Sequence, residues 1–174
     1  MKTIVSNTSP IRYLTSIGEA ELFPQLFGKI LIPKRVYQEL THKNTPDIVR
    51  QLLTSLPVWV EVCEVKISKD NSSLVHLDAG EIEAIFLAEQ KSADLLLMDE
   101  KKGRLAAKER DLTIMGVLGI LELADRQQKI DLPQAIDKLL KTNICFMYYL
   151  KCHLILLAAF MEENMTGYNV ISCF

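Results

Sequence analysis

The sequence predicts an α/β domain with a mainly parallel central sheet, and three observations carry that prediction. Short apolar runs alternate with stretches of helical periodicity over most of the chain, the order expected of strands joined by helical crossovers. The run Leu95 to Met98 is continuously apolar between Asp94 and Asp99, as a strand buried on both faces beneath helices would be. Acids follow it at once, and the carboxyl ends of parallel strands are where ligands bind. At 174 residues the chain has room for one domain with a sizeable core and too little for two ordinary ones.

Thr3, Ile4 and Val5 form the first strand. Ser6-Asn7-Thr8-Ser9-Pro10 ends it with helix-capping residues and a proline suited to a first turn, so a helix runs on to about Ile17. Gly18 stops that helix, and Glu19 to Phe27 reads as a second one with Leu22, Phe23, Leu26 and Phe27 on its buried side. Ile30 to Ile32 is the second strand, and Pro33 starts a helix with Val36, Tyr37 and Leu40 at helical spacing and Glu39 on it. Asp47 to Leu56 is amphipathic, Val58 to Val62 alternates as an edge or half-buried strand does, and Lys69 to Ser73 reads as a loop. From Asp78 a helix with Ile82, Ile85, Phe86 and Ala88 inward leads into the strand that ends at Asp99. A helix from about Lys101 to Arg110, a short strand at Thr113 to Met115, a break at Gly116, a helix from Val117 to about Gln127 and a last helix to about Lys141 complete the alternation.

The predicted domain is residues 1–141, and residues 142–174 form an apolar tail of different style. Ile144 to Met161 is apolar but for Lys151 and His153, a length close to that of a membrane helix. The lysine near its middle and the domain before it favour a packing or dimerisation element, hence a homodimer with no membrane span.

A net charge of -2 excludes a globally basic nucleic-acid binder and leaves room only for a local basic patch. The N-terminus enters a strand pattern without an apolar leader or cleavage site, which predicts a cytoplasmic protein. Cys63, Cys145, Cys152 and Cys173 lack CxxC spacing and read as reduced packing thiols. His42, His76 and His153 show no triad or metal spacing, which argues against a histidine-based ribonuclease. Gly116-Val-Leu-Gly119 is too short for a phosphate loop, which argues against a Rossmann nucleotide enzyme.

Four positions bear on one place: Asn7 after the first strand, Glu39 on the helix after the second, Glu81 at the start of the central helix, and Asp99 at the end of the apolar strand. If those strands are parallel neighbours, the four side chains converge on the sheet's carboxyl edge. Each has a structural account beside this. Asn7 is a good cap, Glu39 an ordinary helix residue, Asp78 a helix cap, and Glu81 the other half of a capping box with Asp78. Asp99 and Glu100 suit the first turn of the next helix.

Together these stretches resemble the PIN-domain superfamily of small metal-dependent ribonucleases, which includes the VapC-type toxins. The matching residues are Ile4 to Pro10, Ile32 to Leu40, Leu77 to Ile85 and Ala93 to Asp99, and the likeness is greatest to PIN-like proteins with the Asp78-Ala-Gly-Glu81 helix start. The resemblance implies a three-layer α/β/α fold and an acidic cluster holding Mg²⁺ or Mn²⁺ for hydrolysis of RNA phosphodiesters. It further implies the toxin of a toxin-antitoxin pair, restrained by a small antitoxin protein. Carried over by position, Glu39, Glu81 and Asp99 match acidic metal ligands, and Thr8 or Ser9 the small hydroxyl residue near the metal.

Asn7 departs from the pattern, where the usual residue is aspartate. Its amide oxygen can ligate without charge, so metal affinity should fall relative to an aspartate, with Asp78 or Glu100 as auxiliary acids. That departure defines the alternative, a catalytically impaired PIN-like module that binds nucleic acid or protein. Lys101, Lys102 and Arg104, with Lys108 and Arg110 beyond them, are either a cationic flank for the RNA backbone or a solvated helix face.

Overall fold

The structure, a computed structural model, describes residues 2–67, 74 and 76–142. Among the described residues five strands form one sheet: β1 (Ile4–Ser6), β2 (Ile30–Pro33), β3 (Val60–Cys63), β4 (Leu95–Leu97) and β5 (Ile114–Met115), in the order β3-β2-β1-β4-β5. Every neighbouring pair is parallel, with Val5 opposite Leu31 on one side of β1 and opposite Leu96 on the other. The connections among the described residues carry α1 (Thr8–Ser16), α2 (Leu22–Phe27), α3 (Lys34–Leu40), α4 (Asp47–Thr54), α5 (Ala79–Gln90), α6 (Lys101–Lys108) and α7 (Val117–Arg126), and α8 (Leu132–Leu140) follows α7.

Side chains alternate across a strand, so a sheet covered on both faces needs apolar residues at every position. β4 meets that need throughout and β1 at Ile4 and Val5, while the buried Ser6 hydroxyl donates to the Asn7 carbonyl. Ile4 and Leu97 belong to one apolar cluster with residues of α1, α2, α3, α4, α7 and α8, while Val5 and Leu96 belong to a second with residues of α5 and α6. The result is the three-layer α/β/α arrangement. In the first cluster Phe23 is fully buried and stacks on Trp59 with ring centroids 5.3 Å apart.

Several boundaries differ from the sequence reading, for local reasons. The second helix begins at Leu22 rather than Glu19, because Gly18 takes a left-handed φ of 81° that only glycine adopts freely and the turn it makes must close first. β3 begins at Val60 rather than Val58. Val58 is 96% exposed, and the Val60 amide donates to the Pro57 carbonyl, so a turn occupies the start of the alternating run. On α5, Ala84 and Leu87 are buried beside Ile85, Phe86 and Ala88, while Ile82 is only half-buried. Arg110 lies beyond the end of α6.

β1 is the middle strand, and the chain leaves it toward β2 and β3 on one side and returns through β4 and β5 on the other. That reversal opens a crevice between the carboxyl ends of β1 and β4. Among the described residues no helix is long and apolar enough to cross a membrane. The tail reading at 143–174 and the loop reading at 69–73 lie outside the described residues.

Candidate acidic pocket

Asn7 follows β1 directly and is 4% exposed. Its backbone amide donates to the Leu97 carbonyl at 2.9 Å, which extends the β1–β4 ladder by one residue to the mouth of the crevice. Asn7 holds the N-cap position of α1, and its side-chain Oδ1 accepts from the Thr8 amide at 2.6 Å, the first amide of the helix. Pro10 sits in the first turn of α1, where no amide is needed.

Thr8 then reaches across to α3. Its hydroxyl donates to Glu39 Oε2 at 2.5 Å, and Arg35, one turn earlier on α3, places Nε 3.6 Å from Glu39 Oε1. Ser9 lies next on α1, half-buried. On its other side the Glu39 carboxylate lies against Gly80, with its two oxygens 2.6 and 2.7 Å from the point a Cβ there would occupy.

Glu81 is 6% exposed and divides its two oxygens. Oε2 accepts from the Asp78 amide at 2.9 Å, which is the Glu81 half of a capping box at the start of α5. Oε1 is buried and has no hydrogen-bond partner. The capping account and the ligand account are therefore compatible, one oxygen each. Burial pushes the Glu81 carboxyl up, against the Asp78 amide, and the negative charges of Asp78, Glu100 and Glu39 add to the rise. Asp78 itself is exposed.

Asp99 divides its oxygens in the same way. Oδ1 accepts from the Val117 amide at 2.9 Å, at the N-terminus of α7, and Oδ2 is buried without a partner. Burial drives its carboxyl up to about 6, over the opposing pull of the Val117 amide and the Arg104 guanidinium. Glu100, exposed at the N-cap of α6, raises both acids. Lys101 and Lys102 are exposed at the start of α6 and Arg104 is half-buried, but Arg110 turns away to pair with Glu89 at 2.7 Å and to lie over the Phe86 ring.

The four positions thus gather at one sheet edge but not around one point. The charge of Glu39 reaches Glu81, whereas the Asp99 carboxylate turns toward α7. Among the described residues no three Asp, Glu, His or Cys side chains form a group that could hold a metal ion. The donor set is nonetheless all oxygen, the kind Mg²⁺ and Mn²⁺ take, and Glu81 Oε1 and Asp99 Oδ2 are buried acceptors left unbonded. On that chemistry the residues fit a hard divalent cation.

A protein-family model described as a PIN domain matches residues 3–152. The chain belongs to the PIN-domain family. PIN domains are generally nucleases and typically use divalent metals. A comparison with curated proteins found no match.

Sequence reasoning named the acids of this PIN domain but missed Gly80, Gly103 and Gly116, the backbone positions against which they lie. The signal was present as a glycine in the opening turn or cap of α5, α6 and α7. The Arg35–Glu39 pair was also legible, from its i,i+4 spacing.

Proposed function

We propose that this PIN domain is an endoribonuclease that depends on Mg²⁺ or Mn²⁺ and hydrolyses RNA phosphodiesters, and that it acts as the toxin of a toxin-antitoxin pair. The observation that carries the nuclease reading is the pair Glu81 and Asp99: a buried and a half-buried carboxylate at the carboxyl edge of a parallel sheet, each with one buried oxygen unbonded. They would hold the cation, with Glu39 and the amide oxygen of Asn7 beside them. A bound divalent cation supplies charge for the phosphate and an activated water. Thr8 keeps the Glu39 carboxylate in place through its hydroxyl. Lys101, Lys102 and Arg104 meet the RNA backbone, since phosphate contacts supply much of such affinity. The toxin role rests on the likeness to VapC-type toxins, with a small antitoxin covering the pocket.

The test is cleavage of a mixed single-stranded RNA pool with Mn²⁺ by the wild type, Asn7→Asp and Asp99→Asn. Cleavage that rises with Asn7→Asp and vanishes with Asp99→Asn supports the reading. Cleavage unchanged by Asp99→Asn refutes it.

One observation favours the second reading, a binding module with impaired catalysis. Asn7 brings no charge, and its only side-chain oxygen already accepts from the Thr8 amide at 2.6 Å. Calorimetry with Mn²⁺ separates the two, because micromolar binding by the wild type counts against a dead site.

A further inference from the structure

Each of the three acids rests on the opening turn of a helix that it does not belong to or that begins after it, and each rests there on a glycine. Glu39 of α3 lies against Gly80, the second residue of α5. Glu81 of α5 lies against Gly103, the third residue of α6, where a Cβ would stand 2.9 Å from Oε1 and 2.5 Å from Met98 Sδ. Asp99 lies against Gly116, the N-cap of α7, where a Cβ would stand 2.8 Å from both Asp99 Oδ1 and Arg104 Nη1. A real Cβ essentially never comes so close to another heavy atom, so a side chain at any of the three positions would displace the acid.

Helix N-termini attract carboxylates through the free amides and dipole of the first turn. A carboxylate can exploit that attraction at contact distance only where no Cβ stands between it and the backbone. A glycine stands at such a contact on three helices around one crevice, and at α7 the acid also accepts a first-turn amide, that of Val117. We infer that Gly80, Gly103 and Gly116 are positioning residues, whose missing side chains set where the carboxylates of Glu39, Glu81 and Asp99 stand and thereby set the pocket's affinity for a cation. The second half of this rests on the metal-dependent reading above.

A structural role alone makes a different prediction. The atoms that an alanine would meet are ends of flexible side chains, not backbone, and alanine is the better helix former inside α5 and α6. A positioning glycine is therefore one whose alanine variant folds as well as the wild type or better, yet binds the cation less well. Gly80 gives the cleanest case, because its three nearest atoms all belong to the Glu39 carboxylate. Gly119→Ala is the control, since its methyl would meet only Met115.

The experiment uses the full chain and two readouts. The first, without metal, is the ¹³C resonance of the Glu39 carboxyl carbon, assigned by its loss in Glu39→Gln, together with the melting temperature. The second is Mn²⁺ affinity by calorimetry. Gly80→Ala should shift the Glu39 resonance, keep or raise the melting temperature, and weaken Mn²⁺ binding on the order of tenfold or more, as loss of an outer-shell support does. Gly119→Ala should leave resonance and affinity as they are. An unmoved Glu39 resonance in Gly80→Ala overturns the positioning role, and equal Mn²⁺ affinity in wild type and Gly80→Ala overturns its consequence for the cation. A resonance that moves in Gly80→Ala while the wild type binds no Mn²⁺ sinks the metal-dependent reading, and the positioning role stands.

Discussion

Asp99→Asn should stabilise the metal-free protein at neutral pH, although it removes a group placed at the heart of the pocket. The Asp99 carboxyl is raised from 3.8 to about 6, chiefly by burial. At about 1.36 kcal/mol per pH unit, that rise means ionised Asp99 costs the folded state about 3 kcal/mol. The sign follows from which state gives up its proton first. Below pH 3.8 the group is protonated folded and unfolded, and there is no cost. Between 3.8 and about 6 the unfolded chain ionises while the folded one does not, so stability falls as pH rises. Above about 6 the loss is complete.

Asparagine keeps the oxygen that accepts from the Val117 amide and carries no charge to bury. The variant should therefore match the wild type near pH 4 and exceed it by up to about 3 kcal/mol at pH 7.5, or roughly 6–12 °C in melting temperature for a chain of this size. Urea unfolding of both proteins in EDTA from pH 4 to 7.5 measures this directly. Glu81, whose carboxyl is raised by causes that do not include Asp99, contributes alike in both proteins and cancels in the difference. A difference that stays flat across that range, or a variant less stable at pH 7.5, would refute the claim that Asp99 is a charge held in the fold at a cost. Mn²⁺ at a hundred times its dissociation constant should then return about 2.7 kcal/mol to the wild type and nothing to the variant.

Three further outcomes are expected. Asn7→Asp should tighten Mn²⁺ binding by about tenfold, equivalent to about 1.4 kcal/mol, which calorimetry reads as a lower dissociation constant; an unchanged constant would remove Asn7 from the ligand set. Thr8→Val deletes the hydroxyl that donates to Glu39 and should lower stability by about 1 kcal/mol in urea unfolding, below the roughly 1.5–3 kcal/mol of a buried charged acceptor because the Glu39 side chain is 33% exposed. Phe23→Ala empties a fully buried site stacked on Trp59 and should cost about 3–5 kcal/mol, with a change in Trp59 fluorescence in the folded state.

The alternation of apolar runs and helical stretches was enough to place the five strands of the described residues and to predict a mainly parallel sheet, because β1, β2 and β4 are apolar at nearly every position and only a doubly covered sheet asks for that. Edges were harder. Val58 carries the strand pattern but lies in the turn before β3, since alternation says nothing about where a ladder starts. The acids stood out by type and order. Their geometry did not, because it depends on contacts far apart in the chain: Thr8 to Glu39 spans 31 residues and Val117 to Asp99 spans 18. Glu81 as cap and Glu81 as free acceptor compete as readings of the sequence, and only the two separate oxygens show that both hold.

The central place of β1 has a consequence for the growing chain. Asn7 is synthesised well before Leu97, yet the carbonyl its amide binds belongs to Leu97, and Asp99 finds its amide only at Val117. Until the ribosome has released that late stretch, β1 has one open flank and the early residues of the pocket have no opposite wall. A truncated or half-made product carries Asn7, Glu39 and even Glu81 without the crevice they line, so whatever chemistry the pocket performs is withheld until translation of the domain is nearly done.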